Sequence, residues 1–198
     1  MREATTSAIA ICDEYGFPFW GLSGAALRGS TWKEHASADE GIAAMQSVLS
    51  TYAGSGAELC RPALLCLLAA ALSAIGQPEQ GLRVLDEALA AMEKGQERWW
   101  QAEAQRLRGE LLMKASSEHR AEADAAFREA LAVANRQQSP SWALRAATSL
   151  LRHRRQEGPA EAEQALLAQF YNGFTEGLET ADLREARALL KAEEARID

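Results

Sequence analysis

Three charged residues of the 198-residue chain are spaced so that they could act together. Glu103, Arg106 and Glu110 stand at positions i, i+3 and i+7, so a helix would place them on one face with the arginine between two carboxylates. Such a face can offer charge and hydrogen bonds to a partner. It can equally be a solvated set of ion pairs, each worth about 0.2 to 0.5 kcal/mol. The spacing by itself favours neither interpretation.

Patterns for catalysis or metal binding are missing from the sequence. A nucleophilic serine often lies on a Gly-x-Ser-x-Gly turn, and phosphate-binding loops follow the pattern Gly-x4-Gly-Lys-Ser/Thr; neither occurs. His35, His119 and His153 lie far apart and have no partners at zinc-ligand spacing. We therefore expect a protein that is not an enzyme and that needs no metal and no cofactor.

The charge balance and the cysteine content limit the location and the partners. A net charge of -7 and a pI near 5.1 argue against binding to nucleic acid, which requires a basic surface. Three cysteines without a framework spacing are typical of reduced thiols. The N-terminus lacks the pattern of a signal peptide, and the longest apolar stretch, 62–75, is short for a bilayer. We expect a cytoplasmic protein without membrane contact.

The elements that must position these residues are predicted to be helices only. The chain is rich in alanine, leucine and glutamate and poor in β-branched residues. The predicted helices are 2–15, 18–34, 38–53, 59–75, 78–94, 97–115, 119–136, 140–156, 159–174 and 180–196. They form five antiparallel pairs in one domain, 1–198: 1–34, 38–75, 78–115, 119–156 and 159–196.

A spacing of forty residues runs through the chain. Gly29, Ala69, Gly109 and Ser149 are small residues forty positions apart. A second series places a small and two large residues at i, i+4 and i+8, which is typical of one buried helical face. Its copies begin at Gly41, Gly81, Ala123 and Ala162. The larger second step falls at the polar stretch 116–120, where we expect a longer turn.

This periodicity predicts a right-handed superhelical solenoid. A single helix pair cannot bury its apolar face, so neighbouring pairs stack and share a continuous core. An irregular helical bundle is the alternative, but a bundle does not require a forty-residue spacing. Gly76 before Pro78, and Gly158 before Pro159, predict the ends and starts of helices at tight turns.

The pattern Gly76-x4-Gly81-x3-Leu85-x2-Ala88-Leu89 resembles the tetratricopeptide motif, although the repeat here is about forty residues instead of thirty-four. The copy Ala123-x3-Phe127-x2-Ala130-Leu131 is also similar. The resemblance implies a concave groove that binds a partner. The groove positions that it implies are Ser30, Lys33, Ala70, Ser73, Arg106, Glu110, Met113, Ala146, Leu150 and His153.

A narrower resemblance concerns three segments of the second half. They are Glu97-Arg98-Trp99-Trp100-x2-Glu103, Ser141-Trp142-x-Leu144-Arg145, and Phe170-Tyr171-x2-Phe174-Thr175-Glu176-Gly177-x2-Thr180-x-Asp182-Leu183. These segments resemble the C-terminal helical region of bacterial multidomain signalling proteins that combine a cyclase domain and a predicted ATPase with tetratricopeptide-like repeats. The resemblance implies the scaffold part of such a protein.

Two further groups allow two interpretations each. Trp20, Trp99, Trp100 and Trp142 lie near predicted helix starts and could pack between repeats or line the groove. The basic cluster 152–155 lies in a last helical turn, where cations stabilise the helix dipole or bind an anion.

The sequence thus predicts a non-catalytic scaffold that binds a peptide or helix of another protein in its concave groove. The alternative is a regulatory or sensor module that binds a small ligand or another domain of its parent protein. The partner itself is not predicted, and the terminal helices could either cap the repeat or contact a second copy of the chain.

Overall fold

The computed structural model describes residues 2–17, 20–21, 24–25, 27, 38–56 and 58–197. The helices that it delimits are α1 (Arg2–Tyr15), α2 (Ala38–Ser55), α3 (Arg61–Ala74), α4 (Pro78–Gly95), α5 (Gln101–Ala115), α6 (Arg120–Arg136), α7 (Pro140–Arg154), α8 (Glu161–Asn172) and α9 (Ala181–Ile197). These residues include no strand, which confirms the predicted all-α class for the described part of the chain. None of the described helices is long and apolar enough to cross a membrane.

Proline and glycine set several of the helix boundaries. Pro78 and Pro140 are the first residues of α4 and α7, where the missing N–H costs no helical hydrogen bond. Gly76, at φ 77°, lies between α3 and α4 in the left-handed region that glycine adopts without strain. The predicted longer turn at 116–120 contains a 3₁₀ helix, Ser117–His119, and the Ser116 hydroxyl accepts a hydrogen bond from the Glu118 N–H. Most of the predicted helix 18–34 lies outside the described residues.

The chain divides into two compact units, Met1–Trp100 (unit 1) and Gln101–Asp198 (unit 2). In unit 1, α3 and α4 form a closely packed hairpin, and α2 packs against α3. Two apolar clusters join α2 to α3: one around Met45 and Leu72, the other around Tyr52 and Leu64. One part of the core of unit 1 therefore consists of large side chains from α2 packed on the leucine-rich α3, and Leu85 and Met92 of α4 are buried as well.

In unit 2, consecutive helices from α5 to α9 pack against one another. Two further contacts bring α7 against α5 and α9 against α7. The α5–α6 hairpin is tight because Gly109 lets the Phe127 ring lie on the α5 backbone, where a Cβ would stand 2.6 Å from Phe127 Cε1. Phe127 is itself 2% exposed. The helix α7, in contact with four of the elements around it, is central to this unit.

The predicted forty-residue positions are buried where the structure describes them. Ala69, Gly109 and Ser149 all lie in helix interiors away from solvent. Gly29 lies outside the described residues. The grouping of helices into five pairs within one domain stays a prediction.

The last copy of the second series was placed one residue too early. Ala162 is exposed, whereas Leu167 is fully buried and stands forty residues after Phe127. The true first position of this copy is Glu163, not a small residue. Its carboxylate lies 3.6 Å from the guanidinium groups of Arg128 and Arg154, so ion pairing replaces close packing there. The expectation of a small residue at the first position therefore led to Ala162 instead of Glu163.

Candidate functional site

Three helices of unit 2 bring a set of charged side chains together. The helix α5 contributes Glu103, Arg106 and Glu110, which share one face as their spacing predicts. The helix α7 contributes Arg145, Ser149 and Arg152 at i, i+4 and i+7, and the first turns of α9 contribute Asp182 and Glu185. Each helix therefore directs one polar stripe towards the same place.

Glu103 is the most deeply buried charged member, with 4% of its surface exposed. Arg106 binds its carboxylate through two nitrogens, Nε to Oε2 at 2.8 Å and Nη2 to Oε1 at 2.7 Å. Arg145 binds the same two oxygens, Nε to Oε2 at 3.2 Å and Nη2 to Oε1 at 2.7 Å. Two planar guanidinium groups thus hold one carboxylate in the two-pronged geometry that makes such ion pairs strong.

Arg106 connects Glu103 to Glu110 of the same helix and to Ser149 of α7. Its Nη1 donates to Glu110 Oε1 at 2.5 Å and to Ser149 Oγ at 3.1 Å. The Ser149 hydroxyl in turn donates to Glu110 Oε1 at 2.9 Å. All three guanidinium nitrogens of this 7% exposed arginine are therefore used within the protein.

Four partly exposed side chains link α7 to α9: Arg145, Arg152, Asp182 and Glu185. Arg145 Nη1 donates to Asp182 Oδ1 at 2.8 Å, and the Arg145 guanidinium lies 5.6 Å from the ring centre of Trp142. Arg152 pairs with Glu185, and its Nη1 lies 3.6 Å from Glu110 Oε1. These ion pairs place charges from α5, α7 and α9 at one surface.

The buried charges change one another's affinity for protons. Burial alone would raise the pKa of Glu103, but the charges and hydrogen bonds of Arg106 and Arg145 outweigh it and lower that pKa. Burial opposes the charged form of Arg106 as well, yet Glu103 and Glu110 raise its pKa. For Arg145 the same opposition between burial and Glu103 also ends in a raised pKa. Glu103, Arg106 and Arg145 therefore carry their charges at neutral pH.

A cleft of about 120 Å³ opens above this network. We call it the charged cleft. It is lined by Arg106, Glu110, Arg145, Thr148, Ser149, Arg152, Asp182 and Glu185. Thr148 donates its hydroxyl proton to the Leu144 carbonyl at 2.8 Å, so the remaining lining is formed by ion-paired side chains and Ser149.

The structure brings two of the ten predicted groove positions to one cleft. Arg106 and Glu110 line the charged cleft. Leu150 and His153 are 1% and 3% exposed, and the His153 ring packs 5.6 Å from the Phe127 ring. Of the other described positions, Ala70 and Met113 are half-buried, Ser73 and Ala146 are buried, and none of these four lines the cleft. Ser30 and Lys33 lie outside the described residues. The groove as a whole stays a prediction.

Several residues of the charged cleft were not predicted as binding residues. Arg145, Ser149 and Arg152 show the same one-face spacing as the stripe on α5, so this signal was present in the sequence. Asp182 belongs to the last of the three segments that carried the narrower resemblance. No pattern within one helix indicated that Arg145 would meet Glu103, forty-two positions earlier.

Unit 1 contains a second cavity, near the start of α3 and the end of α4. Its volume is about 300 Å³, and Leu59, Pro62 and Ala91 are among its lining residues. Nearby, the Glu97 carboxylate accepts hydrogen bonds from the Cys60 N–H at 3.0 and 3.1 Å and from Trp99 Nε1 at 2.8 Å. Burial and the charge of Glu97 raise the pKa of the Cys60 thiol, so this thiol is a poor nucleophile.

No group of three or more histidine, cysteine, aspartate or glutamate residues in the described part of the chain is arranged to hold a metal ion. No family model matches the chain, and no curated protein matches it either. The resemblances to tetratricopeptide repeats and to cyclase-containing signalling proteins therefore stay predictions.

Proposed function

We propose that this chain is a non-catalytic binding module and that a segment of another protein docks at the charged cleft. The proposal includes the finer architecture: five helix pairs stacked in a right-handed solenoid, acting in the cytoplasm as the scaffold part of a bacterial signalling protein. The buried small residues at 69, 109 and 149 support stacked repeats, since they recur at one spacing.

The observation that carries the proposal is that a buried layer of charges holds an exposed one in place. Glu103 and Arg106 are more than nine-tenths buried and fix Arg145 and Glu110 through hydrogen bonds. Above them, the side chains of Asp182, Arg152 and Glu185 are 42%, 43% and 51% exposed. A polar surface whose side chains are already ordered loses less entropy when a partner binds.

The size of the charged cleft favours a side chain over a complete small molecule. Its volume is about 120 Å³. Pockets for small ligands usually have volumes of about 300 to 1,000 Å³. A small ligand at the charged cleft would need a larger cavity there, so a single anchoring side chain of a protein partner fits this cleft better.

The proton affinities in the cleft favour binding over catalysis. A general base works best with a pKa near the pH of the reaction, but the pKa of Glu103 is lowered from its ordinary value. A general acid must release its proton, but the pKa values of Arg106 and Arg145 are raised. These three groups keep their charges and so act as fixed partners for other charges.

A library of short peptides with varied residues at a central position tests the proposal. The chain is compared with an Arg152→Ala/Glu185→Ala variant, which removes an ion pair at the cleft. The control is Arg136→Ala/Glu129→Ala, which removes an ion pair on α6 that does not line the cleft. We expect peptides that bind the unaltered chain to lose about tenfold or more in affinity for the first variant only.

Circular dichroism of both variants shows whether they keep their helices. A library in which every bound peptide binds the two variants equally well would contradict the proposed function, because binding would then not depend on the charged cleft.

A further inference from the structure

We infer that the charged cleft binds the side-chain ammonium group of a lysine in the partner segment. The inference rests on the proposed function, because it specifies the chemistry of the partner at the same cleft. It follows from which hydrogen-bonding atoms of the cleft are already used and which are left over.

Each of the three carboxylates at the cleft uses one oxygen within the protein. Glu110 Oε1 accepts from Arg106 and Ser149, Asp182 Oδ1 accepts from Arg145, and Glu185 Oε1 pairs with Arg152. Among the described residues, no hydrogen bond reaches Glu110 Oε2, Asp182 Oδ2 or Glu185 Oε2. Three acceptor oxygens therefore remain on residues that line one cleft.

The donors of the cleft are occupied to a greater extent. All three guanidinium nitrogens of Arg106 donate within the network, and so do all three of Arg145. An anion at Arg106 or Arg145 would have to displace carboxylates that are already bound in good geometry. Among the described residues, Arg152 hydrogen-bonds only through Nη2, to Glu185, but Glu110 Oε1 lies 3.6 Å from its Nη1, so an anion there would also meet a carboxylate. A ligand that brings its own donors needs no such exchange, and a lysine ammonium group carries three N–H donors and no acceptor.

The charge balance of the network also favours a cation over an anion. The network holds three arginines, Arg106, Arg145 and Arg152, against four carboxylates, which are Glu103, Glu110, Asp182 and Glu185. The local net charge is therefore -1, and one cation neutralises it. A divalent metal ion is a weaker match, because the described residues include no group of three ligands in metal-binding arrangement.

The experiment uses the full chain and four nine-residue peptides of glycine, alanine and serine that differ at the centre. The central residue is lysine, norleucine, glutamine or glutamate, and backbone amide signals in NMR spectra report binding. We expect the lysine peptide to shift the signals of α7 and α9 near Arg152, Asp182 and Glu185. The N-terminus of every peptide is acetylated, so the other three bring no ammonium group and should bind at least about tenfold more weakly.

Substitutions that remove charge but keep shape give the second part of the test. Asp182→Asn/Glu185→Gln should lower the affinity for the lysine peptide about tenfold or more. Asp86→Asn/Glu129→Gln is the matched control, because both side chains are exposed and lie outside the cleft. Butylamine, tested in parallel, separates a free amine from a lysine within a peptide.

The possible outcomes are distinct. Equal binding of the lysine and norleucine peptides, equal loss in both double variants, or binding of butylamine as tight as that of the peptide would each overturn the inference. If the peptide library yields ligands that depend on the cleft but lack basic residues, the inference fails while the proposed function stands. If no ligand of the library depends on the cleft, the proposed function fails as well.

Discussion

Two helices forty residues apart, α3 and α5, fill matching positions with opposite chemistry. In α3 the positions are Ala63, Cys66 and Ala70, of which the first two are 5% and 0% exposed. In α5 they are Glu103, Arg106 and Glu110, of which the first two are 4% and 7% exposed. The burial is the same, but small apolar side chains provide it in unit 1 and paired charges provide it in unit 2.

The difference shows that positions forty residues apart in α3 and α5 share their depth of burial and not their chemistry. Small apolar residues in α3 need no specific partner. Buried charges in α5 need partners in good geometry, since an isolated ion in the interior is strongly unfavourable. Arg145 and Ser149 of α7 are those partners. The charged face of α5 is therefore buried together with the partners that α7 supplies.

The largest expected effect comes from removing one member of the buried set in unit 2. Glu103→Leu should lower the free energy of unfolding by about 3 to 5 kcal/mol, because it leaves the buried Arg106 guanidinium without its main partner. Chemical denaturation measures the loss. Replacing all three charges of α5 with apolar residues, E103L/R106M/E110L, should cost less than the single change.

The control for this pair of experiments lies in unit 1. Glu87→Leu removes a half-exposed partner of Arg61 and should cost no more than about 1 kcal/mol. If the triple variant is less stable than the Glu103→Leu variant, then the remaining charges of α5 stabilise the fold more than apolar side chains at the same positions do, contrary to our expectation.

Two helical glycines provide the next comparison. Gly109→Ala should destabilise the protein by about 1 to 3 kcal/mol, since the new Cβ would overlap the buried Phe127 ring at 2.6 Å. Gly54→Ala, near the end of α2 in unit 1, meets no atom within 4 Å and should stabilise by about 0.5 to 1 kcal/mol. Thermal unfolding of both variants measures the difference in sign; a stable Gly109→Ala variant would refute close α5–α6 packing.

A smaller effect is expected at Glu97 in unit 1. Glu97→Ala removes the carboxylate that accepts from the Cys60 N–H, and Cys60 stands at φ 63° just before α3. The loss should be about 1 kcal/mol, because the site is only partly buried and water can replace the acceptor. Hydrogen exchange at the first turn of α3 measures it directly. Unchanged exchange rates would mean that this contact does not hold the start of the helix.

The smallest effect is expected from mild acid. The pKa of Glu103 in the folded protein lies below its value of about 4.3 in an unfolded chain, so the unfolded state binds more protons between the two values. The stability that this carboxylate contributes is thus complete above about pH 5 and is lost as the pH falls through the folded pKa. Glu103→Gln should therefore show a shallower loss of stability in acid than the unaltered chain. Equal slopes in denaturation series at several pH values would contradict a lowered pKa.

The helices could be predicted from local signals, and the exceptions have local causes. Pro78, Pro140 and Gly76 act within a few residues of their own positions, so they indicate where α3, α4 and α7 end or begin. The start of the last copy of the second series, Ala162, was predicted one residue too early because Glu163 is tolerated through ion pairs with residues of other helices. Such a compensation is not visible in the sequence of α8 alone.

The candidate site could be predicted only in part for the same reason. The spacing of Glu103, Arg106 and Glu110 indicated a shared face, since helical geometry is local. It did not indicate whether that face is exposed or buried, and the alternative of a solvated stripe was open. Their burial and the identity of their partners depend on which helices pack together.

The sequence by itself determined the helical class, several helix ends and the one-face spacing of the charged residues in α5, because these depend on interactions within a few residues. Tertiary structure alone decided that Glu103 is enclosed by Arg106 and Arg145 and that Asp182 and Glu185 complete the charged cleft. Long-range ion pairs form only after packing excludes water from the charges, and packing involves residues about forty and eighty positions apart.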